Sequence, residues 1–600
     1  MKRLGLFVFY DKDGIVDDYV IYLLKDLMNN LDHLSIVSNS KIQEKEKEKF
    51  YQFTDDIIIR ENKGLDAGAL YDYFNTRDDY FGYDEIVVLN DTFYGPLYPF
   101  KEVFEKMDKR EELDFWGLTK GYKQIDGWNR SDDGYLPEHI QTFFIVFRNS
   151  VINSDAFKDY WAKYDINNMN SFVDVVSGHE TQFTKYLYEH GFKYDSYVQD
   201  SKLDLNPKRN YCHYAYNTSQ QVIVDNAPFI KRKNFIFSFK EFSYYIDDPN
   251  LKNTLNYIKN NTNYDISLIW KNLLRLYNID DIRNTIGFNE IIKPSEHNIE
   301  VKNTLVVRLD NIYNVQDVIK RIDYFDRYIV YSSNDKIIDI FKKKNIKIKK
   351  TNKNFKSLFL DDLKSIKTDY MTFLDFEDNK NAINLVSIEK NETILNNLVK
   401  DKNYINGLLN KLNNDKNIGM VYAPDNISLD NFYQNISWDK LLLKELRDNY
   451  TDFNKKIDKD KLPVSVSTSF VCKTSILKSI DKVNFSKINN KFFIQAFSIL
   501  LSYLGTDSYM YPIIGMNEEY AIYKLNLESY INKSTYKNLY EHFAFPRDYL
   551  NVYNTITHLT FKRIVKLSIR KTLSKNKRWL LNHIYYPIRN RFKKYVLRRK

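Results

Sequence analysis

Through its first 91 residues the chain alternates short apolar runs with amphipathic stretches, and this alternation constrains the fold more than any single motif. Leu4 to Tyr10 is an apolar run that ends at Asp11, and a helical pattern follows from Asp18 to Leu31. Leu34 to Asn39, Asp56 to Arg60 and Glu85 to Leu89 are further strand-like runs, each closing on polar residues. Strands separated by helical stretches pair in parallel, so the pattern predicts an α/β sheet. Ligands of such sheets bind beyond the carboxyl ends of the strands. Those ends are Tyr10-Asp11, Ser38-Asn39-Ser40, Glu61-Asn62 and Asn90-Asp91, which makes Asp11 and Asn39 candidate ligand contacts.

Six hundred residues exceed what one hydrophobic core organises, so two or more domains are expected. Twelve of the 17 glycines precede residue 192, and glycine serves where backbone turns sharply or approaches a ligand. The functional crevice is therefore expected in the first domain, residues 1–245. A Lys- and Asn-rich stretch, 246–300, reads as a helical connector. A second α/β pattern then runs over 301–535, with strand-like segments Asn303 to Leu309, Arg327 to Tyr331, Ile346 to Lys349 and Tyr370 to Leu374. Glu61-Asn62-Lys63-Gly64-Leu65-Asp66 has a counterpart in Thr351-Asn352-Lys353-Asn354-Phe355-Lys356, and Leu89-Asn90-Asp91 is echoed by Leu374-Asp375. A degenerate repeat accounts for these echoes, and chance likeness in an Asn/Lys-rich chain is the competing account.

Three clusters can carry chemistry. In Asn62-Lys63-Gly64-Leu65-Asp66-Ala67-Gly68-Ala69, small residues let backbone approach a bulky ligand, while Asn62 and Asp66 can hydrogen-bond a base or ribose. A tight turn with Asp66 as helix N-cap would use the same residues. Val87-Val88-Leu89-Asn90-Asp91-Thr92 is a buried strand delivering a carboxylate to its exposed end. Asp91 there suits Mg²⁺ or Mn²⁺, which bind through one or two carboxylates plus substrate phosphates, or it caps a turn. The third cluster joins Pro137-Glu138-His139-Ile140-Gln141 to Ser177-Gly178-His179-Glu180-Thr181-Gln182. A candidate general base is Glu180, with Glu138 as the alternative. Glu180 precedes an apolar helical face, so it is expected near a helix N-terminus, where acidic residues are also favoured structurally.

The net charge of +10 is unevenly placed. Lys562 to Lys600 holds fifteen Lys or Arg and no acidic residue, so the remaining body carries −5. Within residues 536–600, aromatic and aliphatic residues interleave with the cations, as suits a basic amphipathic helix lying on anionic lipid. A solvated helix packed on the body is the plainer reading, and no nucleic-acid-binding motif accompanies the run. Cys212 and Cys472 are far apart, which argues against a disulfide framework or zinc site. The apolar run after Met1-Lys2-Arg3 is too short for a signal peptide, and Phe492 to Leu504 is too short to span a bilayer. A cytoplasmic protein, peripheral at the inner face of the cell membrane, is expected.

Taken in order, Asn62 to Ala69, Leu89-Asn90-Asp91-Thr92-Phe93-Tyr94-Gly95-Pro96-Leu97, Asp114-Phe115-Trp116-Gly117-Leu118-Thr119 and Pro137 to Gln141 resemble the rhamnan synthesis protein F family of bacterial polysaccharide glycosyltransferases. The likeness covers about residues 1–240 and continues more weakly through Ile418 to Pro424 and Pro463 to Phe470. It implies a GT-A-like nucleotide-sugar-binding fold and transfer of a sugar, typically rhamnose from dTDP-rhamnose, to a lipid-linked glycan of cell wall or capsule. Where GT-A enzymes carry Asp-x-Asp, this chain reads Asn90-Asp91-Thr92, with one carboxylate. An inverting displacement would use Asp11, Asn39, Asn62, Gly64, Asp66, Asn90 and Asp91 around the donor and Glu180 as base. The alternative of another class is a non-catalytic scaffold holding glycan or partner enzymes. A glycoside hydrolase would need two facing carboxylates, and the strand ends offer no obvious pair.

Overall fold

The computed structural model describes residues 1–199 apart from four in the 127–133 loop, 225–236, 251–277, and most of 282–424, 467–479 and 511–523. The basic segment 536–600, the run Phe492 to Leu504 and Cys212 lie outside the described residues.

The α/β class expected from the sequence is the class observed, built on two mixed sheets. The first uses β1 (Arg3–Phe9), β2 (His33–Ser38), β3 (Ile57–Ile59), β4 (Glu85–Asn90), β6 (Phe115–Gly117), β7 (Phe144–Arg148) and β8 (Tyr194–Ser196). Its order is β8-β6-β7-β4-β1-β2-β3, with β7 antiparallel to both neighbours. A short β5 (Phe93–Tyr94) leaves the sheet after β4 and pairs antiparallel with β9 (Ile230–Lys231). Helices α1 (Asp18–Leu27) and α2 (Leu65–Thr76) return the chain between strands. Strands β1 and β4 are buried along their whole length, which is why they read as unbroken apolar runs rather than alternating ones. One face packs Leu6, Val8, Ile86, Val88 and Phe147 against Phe157, Trp161 and Phe183.

The second sheet is formed by β10 (Asn289–Ile291), β11 (Asn303–Leu309), β12 (Arg327–Ser332), β13 (Lys349–Lys350), β14 (Tyr370–Phe376), β15 (Ile418–Tyr422), β16 (Phe470–Lys473) and β17 (Tyr511–Met516). Its order is β10-β17-β15-β16-β14-β11-β12-β13, with β16 antiparallel to β14 and β15. Without β10, strand order and direction reproduce the first sheet, strand for strand in chain order. Register aligns the two in detail. One place before the first β1–β2 pair Arg3 faces Glu85, and one place before the first β11–β12 pair Asn303 faces Tyr370. Val8 thus corresponds to Arg308, Asn90 to Asp375 and Asp91 to Phe376.

The segment expected to be a purely helical connector holds helices Leu251–Asn261 and Ser267–Leu276 and then strand β10, which joins the second sheet. Glu290 draws it there, ion-paired with Lys252 and with Lys411 at 3.0 Å. Both sheets belong to one compact unit spanning Met1–Asn426 and Gln434–Asn517. Among the described residues no helix is long and apolar enough to cross a membrane. Cys472 is buried as a free thiol.

Candidate active site

Beyond the carboxyl ends of β1, β2 and β4 lies a cavity of about 360 Å³. Its wall brings together six of the residues singled out in the sequence: Asn39, Asn62, Asp66, Asn90, Asp91 and Glu180. The α2 turn is shaped by glycine. Gly64 has φ +72°, and a Cβ on Gly68 would stand 1.9 Å from the Lys63 carbonyl oxygen. Gly64 therefore makes the turn that carries Asn62 and Asp66 to the wall, and does not itself line the cavity. The half-buried Asp66 carboxylate accepts from the Asn90 amide at 2.9 Å and from its neighbour Ala67 N–H at 3.0 Å. Burial pushes its pKa up, against those hydrogen bonds. Asn90 turns its carbonyl to the Thr92 hydroxyl at 2.6 Å, and Asn39 joins the Leu65 carbonyl to Arg60. These two asparagines act chiefly as braces of the wall.

Three sequence expectations are corrected by the geometry. Asp11 stands beside the cavity rather than in its wall. It accepts from the amides of Asp13 and Ile15 and is ion-paired with Arg275, because the helix Ser267–Leu276 packs against this loop. Glu138 is directed away, toward Tyr194 at 3.3 Å and Lys120 at 3.6 Å. Glu180 reaches the cavity without being at a helix N-terminus. A helical run from Phe172 to Glu189 passes through a π-turn, Val176–Glu180, and Glu180 keeps helical dihedral angles within it. Such bulges redirect a side chain without ending the helix. The adjacent His179 is buried, with Nδ1 2.8 Å from the Tyr160 hydroxyl and its ring stacked on Phe183, and burial lowers its pKa to about 3.

Glu180 is half-buried, and burial followed by the nearby Asp66 carboxylate raises its pKa to about 7. The Thr142 backbone amide and Lys231 act in the opposite direction. Lys231, absent from the expectations, is the matching group. Its Nζ donates to the Thr92 hydroxyl at 2.6 Å and lies 3.9 Å from the centre of the Phe143 ring. Burial lowers its pKa to about 7, although Glu180 and Asp66 favour its charged form. Next to it Arg232 Nη1 reaches the Tyr19 hydroxyl at 2.9 Å and Asp91 Oδ2 at 3.4 Å. Lys233 and Tyr277 also line the cavity. The sequence signal for the basic side was the run Lys231-Arg232-Lys233; nothing local ties it to Asp91. Its placement depends on β9 pairing with β5, which sets Lys231 opposite Phe93.

The donor set at Asp91 does not fit the Mg²⁺ or Mn²⁺ expected there. Its single carboxylate is already shared by a hydroxyl and a guanidinium, so a positive charge stands where the ion would. Among the described residues no group of three His, Cys, Asp or Glu could hold a metal ion.

No curated protein matches the chain. Solved structures similar to it include glucosyl-3-phosphoglycerate synthase from Mycobacterium tuberculosis in complex with phosphoglyceric acid, at 12% identity and a TM-score of 0.24, covering 38% of this chain and 77% of that one. The glycosyltransferase GlyE in Streptococcus pneumoniae matches at 12% identity and TM-score 0.23, over 65% of this chain and 89% of that one. Core-mannan synthase A from Aspergillus fumigatus, in an Mn/GDP form, matches at 11% identity and TM-score 0.18, over 26% of this chain and 63% of that one. The family described as "Rhamnan synthesis protein F" matches residues 34–492, well over half of the chain and most strands of both sheets. The chain belongs to the rhamnan synthesis protein F family.

Proposed function

We propose that this chain is a glycosyltransferase of polysaccharide synthesis, moving rhamnose from dTDP-rhamnose onto a lipid-linked glycan with inversion at the anomeric carbon. One observation carries the reading: a single strand-end cavity sets a carboxylate raised to about 7, Glu180, against the adjacent cations Lys231 and Arg232. Inverting transfer needs both parts, a base for the acceptor hydroxyl and positive charge for the departing diphosphate. Asn62 and Asp66 meet the nucleotide end of the donor. Glu180 takes the acceptor proton as the acceptor oxygen bonds to the anomeric carbon and the bond to phosphate breaks. Phe172, 52% exposed at the rim and edge-on to Trp128, offers the acceptor an apolar surface.

Catalysis is assigned to residues 1–245 and acceptor handling to 301–535. The basic segment 536–600 would hold the protein at an anionic membrane, where its acceptor resides. Incubating full-length protein with dTDP-rhamnose and a panel of other nucleotide sugars, with and without lipid-linked acceptor, tests the reading. Acceptor-dependent release of nucleoside diphosphate is the expected result. No turnover with any donor would leave the scaffold alternative standing.

A further inference from the structure

This inference rests on the transfer reading and concerns what meets the charge of the leaving diphosphate. Asp91 Oδ2 accepts from the Tyr19 hydroxyl at 3.3 Å, and Arg232 Nη1 lies 3.4 Å away and 2.9 Å from that same hydroxyl. A divalent ion on Asp91 would be pressed against a guanidinium in surroundings largely withdrawn from water, where like charges repel strongly. The geometry instead describes a carboxylate and a phenol holding an arginine in place. Lys231, the last residue of β9, directly precedes Arg232 and is braced by Thr92 and seated over Phe143. Backbone pairing fixes both cations, since Lys231 faces Phe93 and the Arg232 N–H donates to the Thr92 carbonyl at 3.0 Å.

We propose that Lys231 and Arg232 bind the donor's diphosphate and stabilise its leaving-group charge, so that the protein requires no divalent cation. Asp91 and Tyr19 are positioning residues for Arg232. The step balances without a metal. The bond between anomeric carbon and diphosphate oxygen breaks, its electron pair stays on that oxygen, and the acceptor oxygen forms the new bond while its proton passes to Glu180. Lys231 and Arg232 keep their protons and donate hydrogen bonds to the phosphate oxygens. The guanidinium fork suits two oxygens at once, and the ammonium acts as a point charge. The diphosphate's negative charge also favours the protonated form of Lys231, offsetting the burial that works against it.

The test titrates full-length protein with dTDP, UDP and GDP by calorimetry, in EDTA and again with Mg²⁺ or Mn²⁺. At least one diphosphate is expected to bind, with affinities in the two conditions agreeing within about twofold, a small difference on the affinity scale. Lys231→Met and Arg232→Met should each weaken that binding roughly tenfold or more, the scale of a lost charge-assisted hydrogen bond. Lys231→Arg should retain most of it. Asp91→Asn should weaken binding in both conditions without creating a response to metal. Binding that vanishes in EDTA and returns with Mn²⁺ overturns the proposal while leaving sugar transfer intact, and this wild-type comparison decides even if a variant fails to fold. Failure of all three diphosphates to bind in either condition overturns the transfer reading and this proposal with it.

Discussion

At the end of β4 in the first sheet, Asn90 spans from Asp66 to Thr92, and the cavity opens beside Val8. At the same register in the second sheet stands Asp375, gripped through both oxygens by Arg308 at 2.6 and 2.7 Å, with Arg308 in the place of Val8. Phe376 replaces Asp91, and where α2 starts with Gly64-Leu65-Asp66, the helix α3 (Phe355–Asp361) starts with Asn354-Phe355-Lys356. The opposite sheet ends differ in the other sense. Glu85 is fully buried between Arg3 at 2.6 Å and Arg148 at 3.1 Å, whereas the second sheet has Asn303, Tyr370 and Lys473 at those positions. Topology supplies a crevice in both cases. It becomes a site where charges face the crevice, and structure where they close on one another.

The sharpest way to break this comparison is a pair of neutralised carboxylates. Glu180→Gln should lower kcat by roughly 10²–10⁴-fold, the range for losing a general base, with donor affinity little changed. Asp375→Asn should leave kcat unchanged under the same assay. Comparable losses in both variants would show that the second sheet holds a working centre.

Stability separates the sheets next. Arg308→Ala removes the guanidinium held by the buried Asp375 carboxylate and should cost about 3–5 kcal/mol in urea unfolding. Installing the first sheet's residues together, Arg308→Val with Asp375→Asn, should restore most of that loss, because no buried charge remains. Transfer by the double variant should match wild type. If the single change costs nothing, the ion pair is not what closes the second crevice.

The pH dependence sharpens the account of the first sheet. Glu180 works only when deprotonated, so kcat/KM should rise with pH through its raised value of about 7. Lys231 works only when protonated, so activity should fall as pH passes its lowered value of about 7. The result is a bell centred near neutrality, whose limbs belong to the interacting pair, with Asp66, Asp91 and Arg232 as its charged neighbours. Lys231→Arg should move the alkaline limb upward, because a guanidinium stays charged. An unmoved limb would take Lys231 out of the reaction.

Much of the frame was legible because buried strands are written as continuous apolar runs. Asn303–Leu309 and Tyr370–Phe376 start where those runs start, Arg3–Phe9 starts one residue before its run, and the polar residues just past β4 and β2 do reach the cavity. What could not be read depended on distant pairing. Lys231 is placed by Phe93, 138 positions earlier in the chain, through a two-residue ribbon with no local signature. Arg275 captures Asp11 from a helix that, in sequence, belongs to the connector. Glu180 was legible as a carboxylate before an apolar helical face, but its π-turn was not, since periodicity cannot register one inserted residue. Glu138 misled because its neighbours carry the family likeness while its side chain turns to Tyr194 and Lys120.

The finest distinction lies in how the two equivalent helices begin. Gly64 opens α2 in the left-handed region, where a Cβ would meet the Gly68 Cα and the Ile166 side chain at 3.2 Å each. Asn354 opens α3 in extended conformation, and its side chain accepts from the Ser357 N–H at 2.9 Å. Gly64→Ala should therefore cost about 1–2 kcal/mol, the penalty of a left-handed residue bearing a Cβ. Asn354→Ala should cost about 1 kcal/mol, the usual loss of a side-chain cap, and Asn354→Gly only a few tenths. The stability changes are similar in size, so they do not by themselves tell the sheets apart. Donor binding does, because the Gly64 turn carries Asn62 and Asp66 to the cavity wall and Asn354 carries nothing to it. Thermal melts paired with nucleotide-sugar titrations should show affinity falling in Gly64→Ala and unchanged in Asn354→Ala. Gly64→Asn should fall between, since asparagine tolerates the left-handed region better than alanine. If Gly64→Ala loses stability and keeps its affinity, the turn only starts a helix, and the donor is held elsewhere in the cavity.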